Sequence, residues 1–249
     1  MEEEQQLIIE GRNAVREAFR AGRTIDKVYV QDGLKDGIIL TLASKAKKAD
    51  AIVNYISKER LDEMSETGKH QGIIAHAAAY SYAEVSDLLE NARKKGEDPF
   101  FFLLDDIEDP HNLGAIIRSA NLMGAHGVII PRRRAVGLTA TVAKASAGAI
   151  NYTPVAKVAN LAQTIDQLKK EGMWFVCADM DGELMYDQNL TGPIGVVIGN
   201  EGSGVSRLVK EKCDFITRIP MKGDIDSLNA SVAAGVLGYE IVRQRMKKG

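Results

Sequence analysis

Short apolar runs alternate with helical segments through the second half of the chain, and this alternation constrains the fold most strongly. Runs such as "FFLLDD" from Phe101, "HGVII" from His126 and "GVVIG" from Gly195 are continuous, and helical patterns lie between them. Continuous apolar strands between helices are typical of a parallel sheet that helices cover on both faces. Ligands of such sheets bind beyond the carboxyl ends of the strands, so the loops at those ends are the candidates for function.

In the first part of the chain the predicted helices and strands are shorter. Helical and strand-like segments such as "GRNAVREAFRAG", "KVYV", "AIVNYI" and "GIIAHAAAY" predict a small α/β domain over residues 1–80. Residues 81–98, "SYAEVSDLLENARKKGED", are charge-rich with a weak helical stripe, and we expect a partly helical linker there. The alternating region then forms a second domain over residues 99–249.

Composition excludes several classes of protein. The net charge of -2 gives no overall basic field, so any nucleic-acid binding must use local patches. Cys177 and Cys213 fit no metal-ligand spacing and are expected to be buried, reduced thiols, and the histidines lack metal-ligand company, so no metal site is predicted. No run approaches the roughly 18 apolar residues of a membrane span, and "MEEEQQLIIEGR" does not resemble a signal peptide. We therefore expect a cytoplasmic protein.

The loop "GNEGSGVS" (Gly199 to Ser206) follows a predicted strand and resembles a phosphate-binding loop only at first sight. Val205 stands where a Walker A loop needs its lysine, and the glycine order is the reverse of the dinucleotide fingerprint. Glu201 would also repel a pyrophosphate at close range. We expect a loop whose backbone approaches a neutral or cationic ligand. The alternative is a plain strand-to-helix turn.

Two further segments follow predicted strands. In "DDIEDPHNLGAIIRSA" a helix is expected to begin at Asn112 and to carry Arg118, and in "IPMKGDIDSLNASVAAGV" Ser227 and Asn229 open the last helix. A purely structural interpretation remains open for each. Asn112 and Ser227 are good helix N-caps, Arg118 would be a solvated residue paired with a neighbouring carboxylate, and small residues would permit close helix packing.

The segments "NLGAIIRSA", "IGNEGSGVS" and "IPMKGDIDSLNASVAAG", in this order and each after a strand, resemble the three motifs of the SpoU (TrmH-type) RNA ribose 2′-O-methyltransferases of the SPOUT superfamily. The first domain, with "GKHQGI" at residues 68–73, resembles the substrate-binding domain of the RlmB-like branch. The resemblance implies an α/β fold whose second domain contains a SPOUT-type parallel sheet and a deep trefoil knot. It also implies a small α/β RNA-binding first domain of the ribosomal-protein-like type.

The same resemblance implies S-adenosylmethionine as the cofactor and a set of site residues. Arg118 has the central catalytic role, and because its guanidinium stays charged we expect it to bind a phosphate and stabilise alkoxide charge, not to act as a base. The implied catalytic residues are Arg118, Asn112, Glu201, Ser227 and Asn229. The implied cofactor-binding residues are Gly199, Asn200, Glu201, Gly202, Ile219, Pro220, Met221, Leu228 and Asn229.

RNA binding would depend on local positive charge. "PRRR" at residues 131–134 is a candidate backbone clamp, and arginines at helical spacing in the first domain form a candidate positive stripe. The predicted RNA-binding residues are Arg12, Arg16, His70, Gln71, Arg132, Arg133 and Arg134. The family resemblance also implies a homodimer, and the small residues of the last helix are compatible with a close two-fold interface.

The RlmB-like resemblance favours a guanosine ribose of the large-subunit (23S) rRNA as the target. A tRNA ribose is the alternative, because the motifs lie on the cofactor side and do not read the base. A non-catalytic RNA-binding protein associated with the ribosome would suit the first domain but gives Arg118, Glu201, Ser227 and Asn229 no purpose. A dinucleotide-dependent oxidoreductase is weakened by the reversed glycine order.

Overall fold

The computed structural model describes residues 7–224 and 227–246. The chain divides into two compact units. The first comprises Met1–Ser81 with Gly137–Thr141, and the second comprises Tyr82–Val136 with Val142–Gly249. Each unit contains its own sheet.

The first unit contains a four-stranded sheet in the order β1-β4-β2-β3. β1 pairs antiparallel with β4, β4 antiparallel with β2, and β2 parallel with β3. The short strand β1 was not expected from the sequence. The elements of this unit are β1 (Leu7–Glu10), α1 (Arg12–Arg20), β2 (Ile25–Gln31), α2 (Gly37–Lys48), β3 (Ile52–Ile56), α3 (Lys58–Met64) and β4 (Ile73–Ala77).

The second unit is built on six strands in the order β10-β8-β9-β5-β6-β7, and every neighbouring pair is parallel. The predicted parallel sheet is therefore confirmed. Its central strands β5 and β9 are buried along their whole length, as their continuous apolar runs indicate. The strands are β5 (Phe100–Leu104), β6 (Gly127–Pro131), β7 (Val155–Val158), β8 (Trp174–Leu184), β9 (Ile194–Ile198) and β10 (Phe215–Arg218).

Helices connect most of these strands, because parallel neighbours need a crossover connection and cannot be joined by a tight turn. They are α4 (Val85–Lys95), α5 (Pro110–Leu122), α6 (Ala140–Ala145), a 3₁₀ turn (Ala149–Asn151), α7 (Leu161–Lys170), α8 (Arg207–Lys210) and α9 (Ala230–Met246). The strand order does not describe how the loops thread past one another, so the trefoil knot stays a prediction of the family resemblance.

The segment 81–98 contains helix α4 (Val85–Lys95), as its partly helical pattern indicated, but this helix packs into the second unit and is not a separate linker. α4 belongs to the second unit, where Leu88 and Ala92 are fully buried. Leu88 joins the hydrophobic cluster that contains Phe101 and Ile129. The weak helical stripe was the signal of a helix that buries one narrow face, and the charged residues around it cover the solvent side.

An irregularity in β8 matters for the site. Cys177 pairs with Ile216 of β10, but the next residue of β10, Thr217, pairs with Glu183. Residues 178–182 are therefore extra on the β8 side and leave the ladder, which is a large bulge. A Cβ on Gly182 would lie 2.5 Å from the backbone carbonyl carbon of Ile216, so only glycine allows the chain to return to the sheet there.

The small residues of α9 pack inside their own unit. Ala230, Ala234 and Gly238 are buried, and a Cβ on Gly238 would lie 2.8 Å from the Phe102 ring. These three residues allow α9 to approach the sheet closely, whereas Gly235 faces open space, and the homodimer contact expected on this helix stays a prediction. The opposite face of α9 is exposed and carries the apolar side chains Val232, Val236 and Tyr239.

Leu88→Ala tests whether α4 is part of the second unit's core. We expect the substitution to lower the free energy of unfolding by about 2–5 kcal/mol, because it leaves a cavity among fully buried side chains. Ser86→Ala on the exposed side of the same helix is the control and should stay within about 0.5 kcal/mol. Urea denaturation followed by tryptophan fluorescence measures both, and an unchanged Leu88→Ala variant would restore the linker interpretation.

Candidate functional site

A cavity of about 390 Å³ lies at the carboxyl ends of β8, β9 and β10. This is the edge of a parallel sheet where ligands bind, and the volume lies within the usual range of small-molecule sites. Three groups of residues line it: Ala178, Asp179 and Met180 in the bulged part of β8, Ile198 to Gly204 at and after the end of β9, and Thr217, Arg218, Ile219, Met221, Ser227, Leu228, Ala230 and Ala233 around the end of β10 and the start of α9.

The glycine loop after β9 is held by its own backbone. Asn200 and Gly204 exchange two backbone hydrogen bonds, and the Asn200 side-chain oxygen accepts from the Gly202 and Ser203 N–H groups. A Cβ on Gly199 would lie 2.2 Å from the carbonyl carbon of Gly204. Gly199 is therefore required by the loop's own crossing backbone, a reason the sequence did not indicate.

The Glu201 carboxylate is the centre of a polar cluster. Its Oε1 accepts hydrogen bonds from Asn112 Nδ2 at 2.9 Å, Asn229 Nδ2 at 2.5 Å and the backbone N–H of Ala230 at 3.3 Å. Asn229 Nδ2 also donates to Asn112 Oδ1 at 2.9 Å. Because Ala230 is the first residue of α9, the carboxylate lies at the positive end of that helix. No described residue donates to Glu201 Oε2.

The two helices that meet at this cluster do not begin where the sequence indicated. α5 begins at Pro110, and Asp109 is its N-cap, because its carboxylate accepts from the His111 N–H. Asn112 is therefore free to turn its buried side chain toward Glu201. At the start of α9, Asn229 is the capping residue, since its Oδ1 accepts from the Ser231 and Val232 N–H groups.

Arg118 lies on α5 but outside this polar cluster. Its side chain is exposed, and within residues 7–224 and 227–246 it forms no hydrogen bond or ion pair. The expected pairing with a carboxylate before the helix is absent from this part of the chain. Asn112 and Glu201 therefore bind each other and the start of α9, and they do not hold the Arg118 guanidinium in this structure.

Most of the predicted cofactor residues share the cavity. Gly199, Asn200, Glu201, Gly202, Ile219, Met221 and Leu228 line it, as does the predicted catalytic residue Ser227. Pro220 and Asn229 do not line it, although Asn229 contacts Glu201 directly. The sequence missed Ala178, Asp179, Met180, Thr217 and Arg218, because nothing in "WFVCADMDGEL" indicates that the strand would leave its ladder.

The chemistry of the lining suits a compact ligand with an apolar part and a positive charge. Ile198, Ile219, Met221 and Leu228 provide apolar surface, and carboxylates reach the cavity from Asp179 and Glu201. Backbone groups of the glycine loop are accessible, whereas no lysine among residues 7–224 and 227–246 lines the cavity. From these described residues a phosphate group would have one cation, Arg218.

The predicted RNA-binding residues of the first unit have different environments. Arg12 donates to Asp36 at 2.7 Å, and that carboxylate caps α2. The backbone hydrogen bond from Ile39 and the contact with Arg12 hold the pKa of Asp36 below its usual value. His70 is buried and uses both ring nitrogens, one with Asp62 and one with the Gly72 N–H. Arg12 and His70 are therefore structural here.

Other candidates for RNA contact lie nearer to solvent. Gln71 is exposed with a φ of 51°. Arg16 is half-buried, lies 3.7 Å from the Glu17 carboxylate and donates to the side chain of Asn13. In the second unit Arg133 is exposed, and Arg134 lies 3.5 Å from Asp106. Arg132 follows β6 and donates its backbone N–H to Val158.

Possible metal ligands, membrane-spanning helices and the two cysteines bear on the class of site. Within residues 7–224 and 227–246 no group of three or more His, Cys, Asp or Glu side chains is placed to hold a metal ion. No helix in the described part of the chain is long and apolar enough to cross a membrane. Cys177 is buried and Cys213 is half-buried, and both are free thiols. The expectation that both were buried therefore holds only for Cys177.

Comparison with known families gives two matches that together span most of the chain. Residues 99–239 match the model of the SpoU rRNA Methylase family. Residues 8–83 match a model described as RNA 2′-O ribose methyltransferase substrate binding. The first match contains the entire cavity, and the second covers most of the first unit.

Similar proteins share the whole length of the chain. YacO of Bacillus subtilis (strain 168), assigned to the TrmH family of tRNA/rRNA methyltransferases, is 49% identical over 241 residues, 96% of each chain. A relative of the same assignment from Staphylococcus aureus (strain MSSA476) is 46% identical over 244 residues, 97% of this chain and 98% of its own. The SpoU methyltransferase AviRb from Streptomyces viridochromogenes, solved with its cofactor AdoMet, has a TM-score of 0.60 at 24% identity over 96% of this chain and 90% of its own. That likeness shows the fold.

Asn229→Asp tests the polar cluster without removing the helix cap, because aspartate caps as well as asparagine. The donor to Glu201 is lost and a second carboxylate faces it, so we expect a loss of about 1–2 kcal/mol of unfolding free energy at pH 7. The repulsion raises the pKa of the introduced carboxyl in the folded state. The loss of unfolding free energy relative to wild type should therefore be largest at neutral pH and should shrink as the pH falls toward about 4.

Asn160→Asp is the matched control for that experiment. Asn160 caps α7 through its side-chain oxygen, and its recorded hydrogen bonds involve no carboxylate. Chemical denaturation at several pH values should show little change for this variant. A pH-independent loss at Asn229→Asp, or no loss at all, would contradict the role given to the cluster.

Proposed function

The chain belongs to the SpoU rRNA Methylase family, and we propose that it methylates a ribose 2′-hydroxyl of a guanosine in large-subunit (23S) rRNA, in the cytoplasm. It is an RNA methyltransferase by family. The match of residues 8–83 to a 2′-O ribose methyltransferase substrate-binding model supports the ribose as the acceptor. The choice of rRNA and guanosine rests on the resemblance of the first domain to the RlmB-like branch.

The observation that carries the proposal is the convergence of all three motif regions on one cavity. The glycine loop, Ile219, Met221, and Ser227 with Leu228 line it, and Asn112 of the first motif is linked to it through Glu201. The family uses S-adenosylmethionine, and the AviRb structure is a complex with that cofactor, in agreement with the cofactor predicted from the sequence. A sulfonium cation without phosphate suits a lining with two carboxylates and no lysine.

The residues of the lining divide naturally between the parts of such a cofactor. Ile219, Met221 and Leu228 would hold the adenine through apolar contact and backbone groups. Gly199 to Gly202 would lie along the remainder, with Glu201 near the positive charge. When bound, S-adenosylmethionine supplies an electrophilic methyl carbon, and its C–S bond breaks as the ribose oxygen forms the new C–O bond.

The protein must position the hydroxyl and stabilise its developing charge. A ribose 2′-hydroxyl is a poor nucleophile at neutral pH, and it loses its proton as the C–O bond forms. We assign Arg118 to the phosphate beside the target ribose and to the alkoxide charge, since a guanidinium does not act as a base. Its exposure and the absence of a recorded partner among the described residues leave the whole fork available to RNA. Ser227 would orient the ribose, and Asn112, Glu201 and Asn229 would hold the framework.

RNA contacts outside the reaction centre follow from exposure and charge. Arg132, Arg133 and Arg134 lie together after β6, and we propose them as a clamp on the RNA backbone, with Arg16 and Gln71 as contacts of the first unit. Arg12 and His70 are left out, because their polar atoms serve the fold. The salt dependence of the KM for RNA measures these phosphate contacts.

A homodimer is proposed through the outer face of α9. Val232, Val236 and Tyr239 are exposed there, and the neighbouring Tyr186 and Leu122 are exposed as well. Large apolar side chains gathered on one surface are typical of protein interfaces. Sedimentation equilibrium of the wild-type chain measures the oligomeric state directly, and a monomer at micromolar concentration would contradict this part of the proposal.

Methyl transfer from tritiated S-adenosylmethionine tests the function. The acceptors are total rRNA and total tRNA from cells lacking this protein, and the labelled position is then mapped. We expect label on a 2′-O-methylguanosine of the large-subunit rRNA. Label on tRNA alone would overturn the rRNA assignment, and no transfer to either RNA would favour a non-catalytic RNA-binding protein.

Arg118→Ala should reduce kcat in this assay by about 10²–10³-fold, the usual cost of removing a group that stabilises transition-state charge. The affinity for S-adenosylmethionine, measured by calorimetry, should change little. Arg118→Lys keeps the charge and loses the bidentate fork, so an intermediate rate is expected. Arg93→Ala removes an exposed arginine elsewhere in the same unit and is the control. Wild-type turnover by Arg118→Ala would contradict the assignment.

A further inference from the structure

One partly buried ion pair connects two of the segments that line the cavity. Lys210 Nζ lies 2.7 Å from Asp179 Oδ2, and the two side chains are only 27% and 20% exposed. Asp179 belongs to the extra segment 178–182 of β8 and lines the cavity, whereas Lys210 ends α8, the short helix that directly follows the glycine loop. Lys210 itself does not line the cavity.

The segment 178–182 has few other attachments. Its neighbours Cys177 and Glu183 both pair with β10, but the residues between them have no ladder partner. Within the segment, Asp179 Oδ1 accepts from the Asp181 N–H at 3.1 Å, which closes a local turn. Met180 is 55% exposed, so apolar burial does not fix this wall. Among the described residues, the Asp179 carboxylate attaches the segment to α8 through its ion pair with Lys210, while Gly182 packs against the Ile216 backbone.

Lys210, the other residue of the ion pair, lies on a helix that packs into the core of the second unit. Val209 of α8 is buried in the hydrophobic cluster that also contains Cys177. The start of α8 is held because the Ser206 N–H donates to Asp105 at 2.8 Å, and the Lys210 N–H donates to the Ser206 carbonyl. The Lys210 cation therefore extends from a helix that the hydrophobic cluster and the Asp105 hydrogen bond hold in place.

The charges of the pair agree with this role. The hydrogen bond with Asp179 raises the pKa of Lys210. Burial is the largest single effect on Asp179 and by itself would raise its pKa, but the hydrogen bonds from Lys210 and the Asp181 N–H, together with the Lys210 charge, hold the pKa below its usual value. Both groups therefore stay ionised across the neutral range, and the restraint is present at every pH at which the protein works.

We propose that Lys210 is a positioning residue for the cofactor site: its ion pair with Asp179 holds residues 178–182 in place as one wall of the cavity before the ligand arrives. The identity of the ligand rests on the proposed function. Without the pair, the wall would be ordered in only a fraction of the molecules. The apparent affinity for the ligand would then be the intrinsic affinity multiplied by that ordered fraction. The pair would thus act on binding and leave the methyl-transfer step itself unchanged.

The chain offers a closely matched control. Lys169 Nζ lies 2.7 Å from Asp214 Oδ1, with exposures of 30% and 19%. The second oxygen of Asp214 accepts a backbone N–H, from Phe175, as that of Asp179 does from Asp181. This second pair lies in the same unit, yet neither of its residues lines the cavity. Removing either lysine costs a similar ion pair, but only one of them would affect the wall.

The test compares Lys210→Met with Lys169→Met in the full chain. Calorimetry with S-adenosylhomocysteine should give a Kd about tenfold higher for Lys210→Met and within about twofold of wild type for Lys169→Met. The thermal midpoints of the two variants should fall by similar amounts. In the methyl-transfer assay the KM for S-adenosylmethionine should rise while kcat stays within about threefold, and Lys210→Arg should recover most of the affinity.

Amide hydrogen exchange of the free protein provides a readout that needs no ligand. Residues 178–182 should exchange faster in Lys210→Met than in wild type or Lys169→Met. Unchanged exchange of this segment, or equal losses of affinity in both methionine variants, would overturn the inference. If the wild-type chain bound no S-adenosylhomocysteine, the proposed function would fail, and the exchange data would still decide whether Lys210 restrains the segment.

Discussion

The hydrogen bonds to the Glu201 carboxylate are the interaction on which the site depends. One oxygen joins three separate parts of the chain, namely the glycine loop that carries it, the start of α5 through Asn112, and the start of α9 through Asn229 and the Ala230 N–H. Each of these parts follows a different strand of the sheet, and their sequence separation is large. The carboxylate therefore converts three independent loop ends into one framework, and a charge with several donors is worth more than a neutral contact.

The remaining walls of the cavity come from backbone geometry. Gly199 lets the glycine loop cross its own chain, and Gly182 lets β8 return to β10 after residues 178–182. In each case a side chain would meet backbone atoms of a neighbouring segment at less than 3 Å. Two close approaches of backbone, one on each side of the cavity, shape the space that the apolar side chains Ile219, Met221 and Leu228 then line.

The sequence predicted the architecture of the second unit better than it predicted the contacts of individual side chains. The parallel sheet of the second unit followed from continuous apolar runs, and two motif segments led to residues that line one cavity, to which Asn112 of the remaining segment is linked through Glu201. What escaped prediction depends on contacts between distant residues. Helix α4 was expected to be part of a linker because a single buried stripe around Leu88 looks weak until its partners are known. His70 was predicted as an RNA contact because a histidine beside glycines gives no sign that Asp62 and the Gly72 N–H will use both of its nitrogens.

The glutamate in the glycine loop finally explains why the site is not a phosphate site. The N-terminus of a long helix at the edge of a parallel sheet is a ready-made anion site, and α9 has 17 residues. Here that position is taken, because Glu201 accepts from the first backbone N–H of α9 and Asn229 caps the next two. A bound phosphate would have to displace a carboxylate of the same sign from the same donors. The same fold element that attracts dinucleotides elsewhere is thereby left with negative charge at its edge, which favours a cationic ligand in the cavity beside it.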